Sequence, residues 1–118
     1  MTKTAKPAPV ATTTVRNAAT YKYEEIPITV GMGVTESCGS DAYPYEVVEI
    51  RTANKIIIRK MDSERVPGSD WLRNEWILSS NPEGRVETIR KGKDGGWKAA
   101  CGTRYYVGHA SRHYDPYF

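Results

Sequence analysis

Thr35, Glu36, Ser37, Cys38, Ser40, Asp41 and Tyr43 fall within nine positions of one another. A polar run this rich in donors, acceptors and a thiol, read as a loop between two strands, is where a small β domain keeps a site. Two chemistries are open to it. Glu36 and Asp41 could act as a carboxylate pair, in a hydrolase or in a protein that binds a nucleotide signal. Cys38 could act as a nucleophile, but that needs a neighbouring base, usually histidine, and a lowered thiol pKa. Both histidines, His109 and His113, lie near the C-terminus. The same residues also serve plain turn chemistry, with Ser and Asp side chains capping backbone donors. The expectation is a partner-binding surface formed by Thr35, Glu36, Ser40, Asp41 and Tyr43, with no catalytic residue assigned.

His109 and His113 are spaced four apart, as zinc ligands on a helix can be. No glutamate follows His109 in the manner of metal-hydrolase helices, and Cys38 and Cys101 lack the close spacing of zinc modules. No metal and no cofactor is expected, and the two cysteines are expected as free thiols. A second constellation is basic. Arg51, Arg59, Lys60, Arg90 and Lys91 interleave with Trp71, Trp76 and Trp97. Cations for phosphate and rings for stacking are what single-stranded nucleic-acid sites use. The tryptophans are equally natural core for a small barrel. Tyr114 to Phe118 holds three aromatic residues in five, costly to leave in water, and is expected to dock back on the domain.

These residues need elements to hold them. A chain of 118 residues suits one domain. Its eight tyrosines and three tryptophans against one phenylalanine suit a thin β core, where a ring is buried and a polar tip kept wet. Charge is unevenly placed: residues 1–22 hold four bases and no acid, 23–50 six acids and no base, 51–104 twelve bases and seven acids. Beyond residue 20 no helical period is sustained. Short β-branched and aromatic runs recur between turn residues. The predicted strands are Ile26–Val34, Tyr45–Arg51, Lys55–Met61, Trp71–Leu78, Arg85–Lys91, Trp97–Ala100 and Thr103–Val107. Asn81-Pro82-Glu83-Gly84 and Lys93-Asp94-Gly95-Gly96 read as turns. Seven short antiparallel strands hide their edges best by closing. The fold class is therefore all-β, a small SH3-like or related antiparallel β-barrel, with a twisted open meander as the alternative. Residues 1–22 read as a flexible N-terminal tail, an arm that could order against a partner, and 23–118 as the barrel domain. Gly31 and Gly33 are read as bends in a barrel strand. No apolar run approaches the length of a membrane helix, so no membrane association is expected.

The blocks Gly-Met-Gly-Val-Thr-Glu (31–36), Ser-Asp-x-x-Pro-Tyr-x-Val-Val-Glu (40–49), an Asn-Pro-x-Gly turn, Lys-Asp-Gly-Gly-Trp (93–97) and Tyr-Asp-x-x-Phe (114–118) resemble a family of small proteins of bacteriophages and bacterial mobile elements. The resemblance covers about residues 30 to 118. The family carries no assigned activity, so it implies a setting and not a mechanism: the bacterial host cytoplasm or the virion. The expected function is a non-enzymatic phage-type accessory protein that binds a host protein or nucleic acid through the 35–43 loop and an adjoining basic face. Assembly with other phage proteins, as a structural virion component whose arm orders on assembly, is the alternative.

Overall fold

The structure, a computed structural model, describes residues 10–17, 19–38, 41–67 and 75–112. Ten strands run through them in chain order: β1 (Thr12–Arg16), β2 (Tyr23–Pro27), β3 (Gly33–Cys38), β4 (Asp41–Thr52), β5 (Lys55–Lys60), β6 (Asp62–Arg65), β7 (Trp76–Ser79), β8 (Val86–Lys91), β9 (Trp97–Lys98) and β10 (Arg104–Val107). Six of them close into a barrel in the order β10-β3-β4-β5-β8-β9, every pairing antiparallel. The other four make two-stranded sheets, β1–β2 and β6–β7, attached outside it. The molecule is thus all-β over its described residues, and the closed barrel replaces the open meander.

Closure follows from the alternation of side chains. Val34, Tyr45, Val47, Ile56, Ile58, Ile89, Trp97, Tyr105 and Val107 are all buried. Cross-strand pairing sets them opposite one another: Val34 faces Tyr45 and Val107, Val47 faces Ile58, Ile56 faces Ile89, Trp97 faces Tyr105. A period of two therefore turns one face of every barrel strand inward. Each fully buried aliphatic side chain contributes about 1.5–3 kcal/mol relative to exposure. A register shift in the β4–β5 pairing between Val47 and Glu49 lets the long β4 bend around this core.

Two predicted elements differ. The stretch expected as a loop over 35–43 is mostly strand: β3 runs on to Cys38 and β4 begins at Asp41, with Cys38 opposite Asp41. Its polar residues misled because they stand at a barrel end, where strands need not be apolar. The strand expected over Ile26–Val34 is correspondingly split between β2 and β3. Gly33 does not mark a bend; a Cβ there would lie 2.5 Å from the Ala110 nitrogen, so glycine is what lets the segment 109–112 run against β3. β6 is an addition, and Trp71 lies outside the described residues.

The N-terminal segment also differs from a plain tail. Ala11 and Thr13 are buried, and β1 pairs β2 from Thr12↔Pro27 to Arg16↔Tyr23. The arm crosses one end of the barrel. Thr13 Oγ1 donates to the Val107 carbonyl at 2.8 Å, Lys91 Nζ donates to the Thr12 carbonyl at 3.3 Å, and Ile28 N donates to the Ala11 carbonyl at 2.8 Å. A threonine with a barrel carbonyl to bond, and an alanine small enough to fit beneath it, anchor what composition alone left free. Residues 1–9 and the aromatic terminus 114–118 lie outside the described residues.

Candidate functional site

The five residues expected to form a partner surface take different roles. Thr35 is buried on the outer side of β3, and its hydroxyl donates to the His109 carbonyl at 2.6 Å, with Ser111 Oγ at 3.1 Å. It fastens the chain after β10. Tyr43 is half-buried beneath two cations, Lys60 Nζ at 5.0 Å and the Arg112 guanidinium at 4.6 Å from its ring centre. The Arg112 guanidinium also lies 4.9 Å from the centre of the Trp76 ring and donates to the Ala42 carbonyl at 3.3 Å. Asp41 is half-buried at the end of the hairpin. Ser40 and His113 lie outside the described residues.

Glu36 shares a face with Val34 and points toward the barrel interior, opposite Tyr43 and Tyr105. Tyr45 and Tyr105 meet edge to face with ring centres 5.5 Å apart, at 89°. Burial pushes the Tyr45 phenol up beyond its ordinary range, and its hydrogen bond to Glu36 and the Glu36 charge push it further. Tyr105 is pushed up to about 12, first by burial and then by Glu36 and Glu87. Both phenols therefore stay protonated well above neutral pH. Arg85, raised chiefly by its attraction to Tyr45, stands nearby. The cluster gathers Glu36, the two phenols and Arg85 at one barrel end, with the Arg85 guanidinium 3.3 Å from Glu87. Asp41 lies on the same face as Glu36, one diagonal step along the hairpin, but Glu36 is engaged with Tyr45.

The five basic candidates are not brought together. Arg51 pairs with Glu49 at 3.0 Å. Arg59 pairs with the buried Glu46 at 2.9 Å, and Ser80 Oγ donates to the same carboxylate at 2.8 Å. Lys60 lies over Tyr43 at one barrel end, and Lys91 reaches Thr12 at the other. Only Arg90 stands free on the outer wall. There it belongs to a different group. Lys55 faces Arg90, Arg90 faces Lys98, and Lys98 faces Arg104, directly across β5, β8, β9 and β10. Each adjoins an inward residue in sequence (Ile56, Ile89, Trp97, Tyr105), so all four point outward. Among the described residues none of the four forms an ion pair. With about 5 Å between neighbouring strands, the belt is on the order of 15 Å long. Sequence spacing hid it, because 55, 90, 98 and 104 become neighbours only through register. The available signal was the alternation that puts each of them beside a core residue.

Two clefts adjoin this belt. One, of about 490 Å³, runs between β8 and β9 and is lined by Thr88, Arg90, Lys98 and Ala99. The other, of about 380 Å³, lies between the arm and β9–β10, where Thr14, Asp94, Trp97, Lys98, Arg104 and Tyr106 line it. Tyr106 is 65% exposed, two residues beyond Arg104 on the same face. The Gly96 N–H, bonded at 3.0 Å, holds the Asp94 carboxyl below its ordinary value, helped by Lys98 and Arg104. Cys38 and Cys101 are exposed free thiols, and Thr103 Oγ1, 3.2 Å from Cys101 Sγ, lowers the pKa of that thiol. Among the described residues no three His, Cys, Asp or Glu side chains group as ligands for a metal ion, and no helix is long and apolar enough to cross a membrane. No protein-family model, curated protein or solved structure matches the chain.

Proposed function

We propose that this protein is a non-enzymatic binding module whose ligand is single-stranded nucleic acid, held along the belt Lys55–Arg90–Lys98–Arg104. The observation that carries the reading is four like charges directly opposite one another on four successive strands. Like charges so placed destabilise a sheet, and a polyanion lying across them removes the repulsion. The belt follows more than half of a closed six-stranded barrel and is therefore curved. A duplex is stiff, with a persistence length of about 50 nm, and can touch only part of such a belt. A single strand can follow it. Exposed Tyr106 beside Arg104 supplies a ring on which a base can stack. The resemblance of the sequence motifs to phage-type proteins supports the bacterial host cytoplasm or the virion as the setting of such a module.

Fluorescence anisotropy with a labelled oligothymidylate tests this. At about −0.7 per phosphate contact, four cations give a slope near −3 for log affinity against log salt. Binding to polyglutamate as tight as to the oligonucleotide would move the reading to an acidic protein partner. Absence of salt-dependent binding to either would end it. A second reading, a virion component that assembles through its arm, is favoured by one observation: the β1–β2 ribbon carries Tyr21 and Tyr23 largely exposed outside the barrel. Self-association that persists in high salt and is lost on Tyr23→Ser would support it.

A further inference from the structure

We infer that the cleft between the arm and β9–β10 takes one nucleobase of the bound strand, guanine in preference to the others; this rests on the nucleic-acid reading above. The cleft, at about 380 Å³, falls within the ~300–1,000 Å³ of small-ligand sites. Two belt cations, Lys98 and Arg104, line it, so a phosphate resting on them brings its own base to the cleft. Tyr106, exposed in the same wall, offers the stacking face. Asp94 decides what edge the base must present. Its carboxyl is held ionised by the Gly96 N–H and by the two cations. A carboxylate only accepts hydrogen bonds. It therefore repels phosphate, which is left to Lys98 and Arg104, and selects a base edge carrying N–H donors. Guanine presents a ring N–H and an amino group side by side, whereas thymine presents a single N–H. Trp97 also lines the cleft, and its indole Nε1 is buried without a hydrogen-bond partner. Its ring belongs to the core, so it backs the cleft, and the base is met by Tyr106, Asp94 and the two cations.

The test uses the full chain and three labelled octamers: all thymine, the same with one central guanine, and a fully abasic backbone. The guanine octamer is expected to bind about tenfold more tightly than the thymine octamer, the effect of one well-formed bidentate contact. Asp94→Asn keeps the oxygen that accepts from Gly96 and should erase that difference without weakening the thymine octamer. Tyr106→Ala should weaken both base-carrying octamers about 5- to 100-fold and leave the abasic one nearly unchanged. Tyr106 is exposed, so this variant should melt like the parent, and a thermal scan checks that. Equal affinity for guanine and thymine octamers, or a Tyr106→Ala loss shared equally by the abasic octamer, overturns the cleft assignment while the belt stands. Failure of all three octamers to bind overturns the underlying reading as well.

Discussion

The interior end of the barrel and its outer wall treat charge in opposite ways. At the interior end Glu36 meets Tyr45, Tyr45 packs edge to face on Tyr105, and Arg85 stands near both phenols. A short distance away on the flank, Glu46 is held by Arg59 and Ser80. On the wall, Lys55, Arg90, Lys98 and Arg104 face one another with no ion pair among the described residues. The first arrangement sets opposite charges and hydrogen-bonding groups together; in the second, Asp94 beside Lys98 and Arg104 offsets only part of a row of like charges. A polar group whose partners are already present explains itself as structure. A row of like charges with little inside the chain to offset it points to something outside the chain. That contrast, rather than polarity alone, separates scaffold from site here.

The contrast can be broken most forcefully at Tyr45, which is 1% exposed. Tyr45→Ala should destabilise by about 3–5 kcal/mol, as large aromatic truncations in cores do, in urea denaturation. A loss under about 1 kcal/mol would show that the polar end is not part of the core. Stability against pH comes next. Tyr45 is raised, and Tyr105 is raised from 10.0 to about 12. Below pH 10 folded and unfolded chains both keep these protons, so the two phenols add no slope. Above pH 10 the unfolded chain releases them and the folded chain does not. Stability should therefore fall as pH rises from 10 through about 12, by roughly 1.4 kcal/mol per unit for each phenol. Denaturation at several pH values checks this, and the double variant Tyr45→Phe, Tyr105→Phe should flatten the decline.

A matched pair of arginines sharpens the comparison. Arg59→Gln removes the partner of a mostly buried carboxylate and should cost about 1.5–3 kcal/mol, with oligonucleotide affinity of the folded protein unchanged. Arg90→Thr should do the reverse: a gain of up to about 1 kcal/mol at low salt, fading as salt screens the repulsion, with weaker binding and a salt slope shallower by about 0.7. Thermal melts and anisotropy titrations on the two variants decide the matter. If Arg90→Thr neither stabilises nor weakens binding, the belt is ordinary solvated surface.

Much of the scaffold was legible in local pattern. Lys55–Lys60 and Val86–Lys91 lie within their predicted strands, because β-branched runs bounded by turn residues leave little choice. Trp97 is core, 3% exposed, following the turn over 93–96. The site was less legible. The polar run 35–43 resembled a loop because it mixes residues of opposite destinations: Thr35 turns outward to the His109 carbonyl, while Glu36 turns inward to Tyr45. The basic candidates were chosen by type and nearness in sequence, and neither reports which face a strand residue occupies or which strand lies beside it.

By itself, then, the sequence determined the all-β class and the turns, since alternation and turn chemistry act within a few residues. Tertiary structure alone decided that the segment 12–16 pairs with 23–27 and crosses the barrel end, that Gly33 admits residue 110, and that 55, 90, 98 and 104 form one belt. Each depends on register between strands distant in the chain. Slipping one strand by a single residue exchanges its two faces. Register is set by how the whole core closes, which no local window contains.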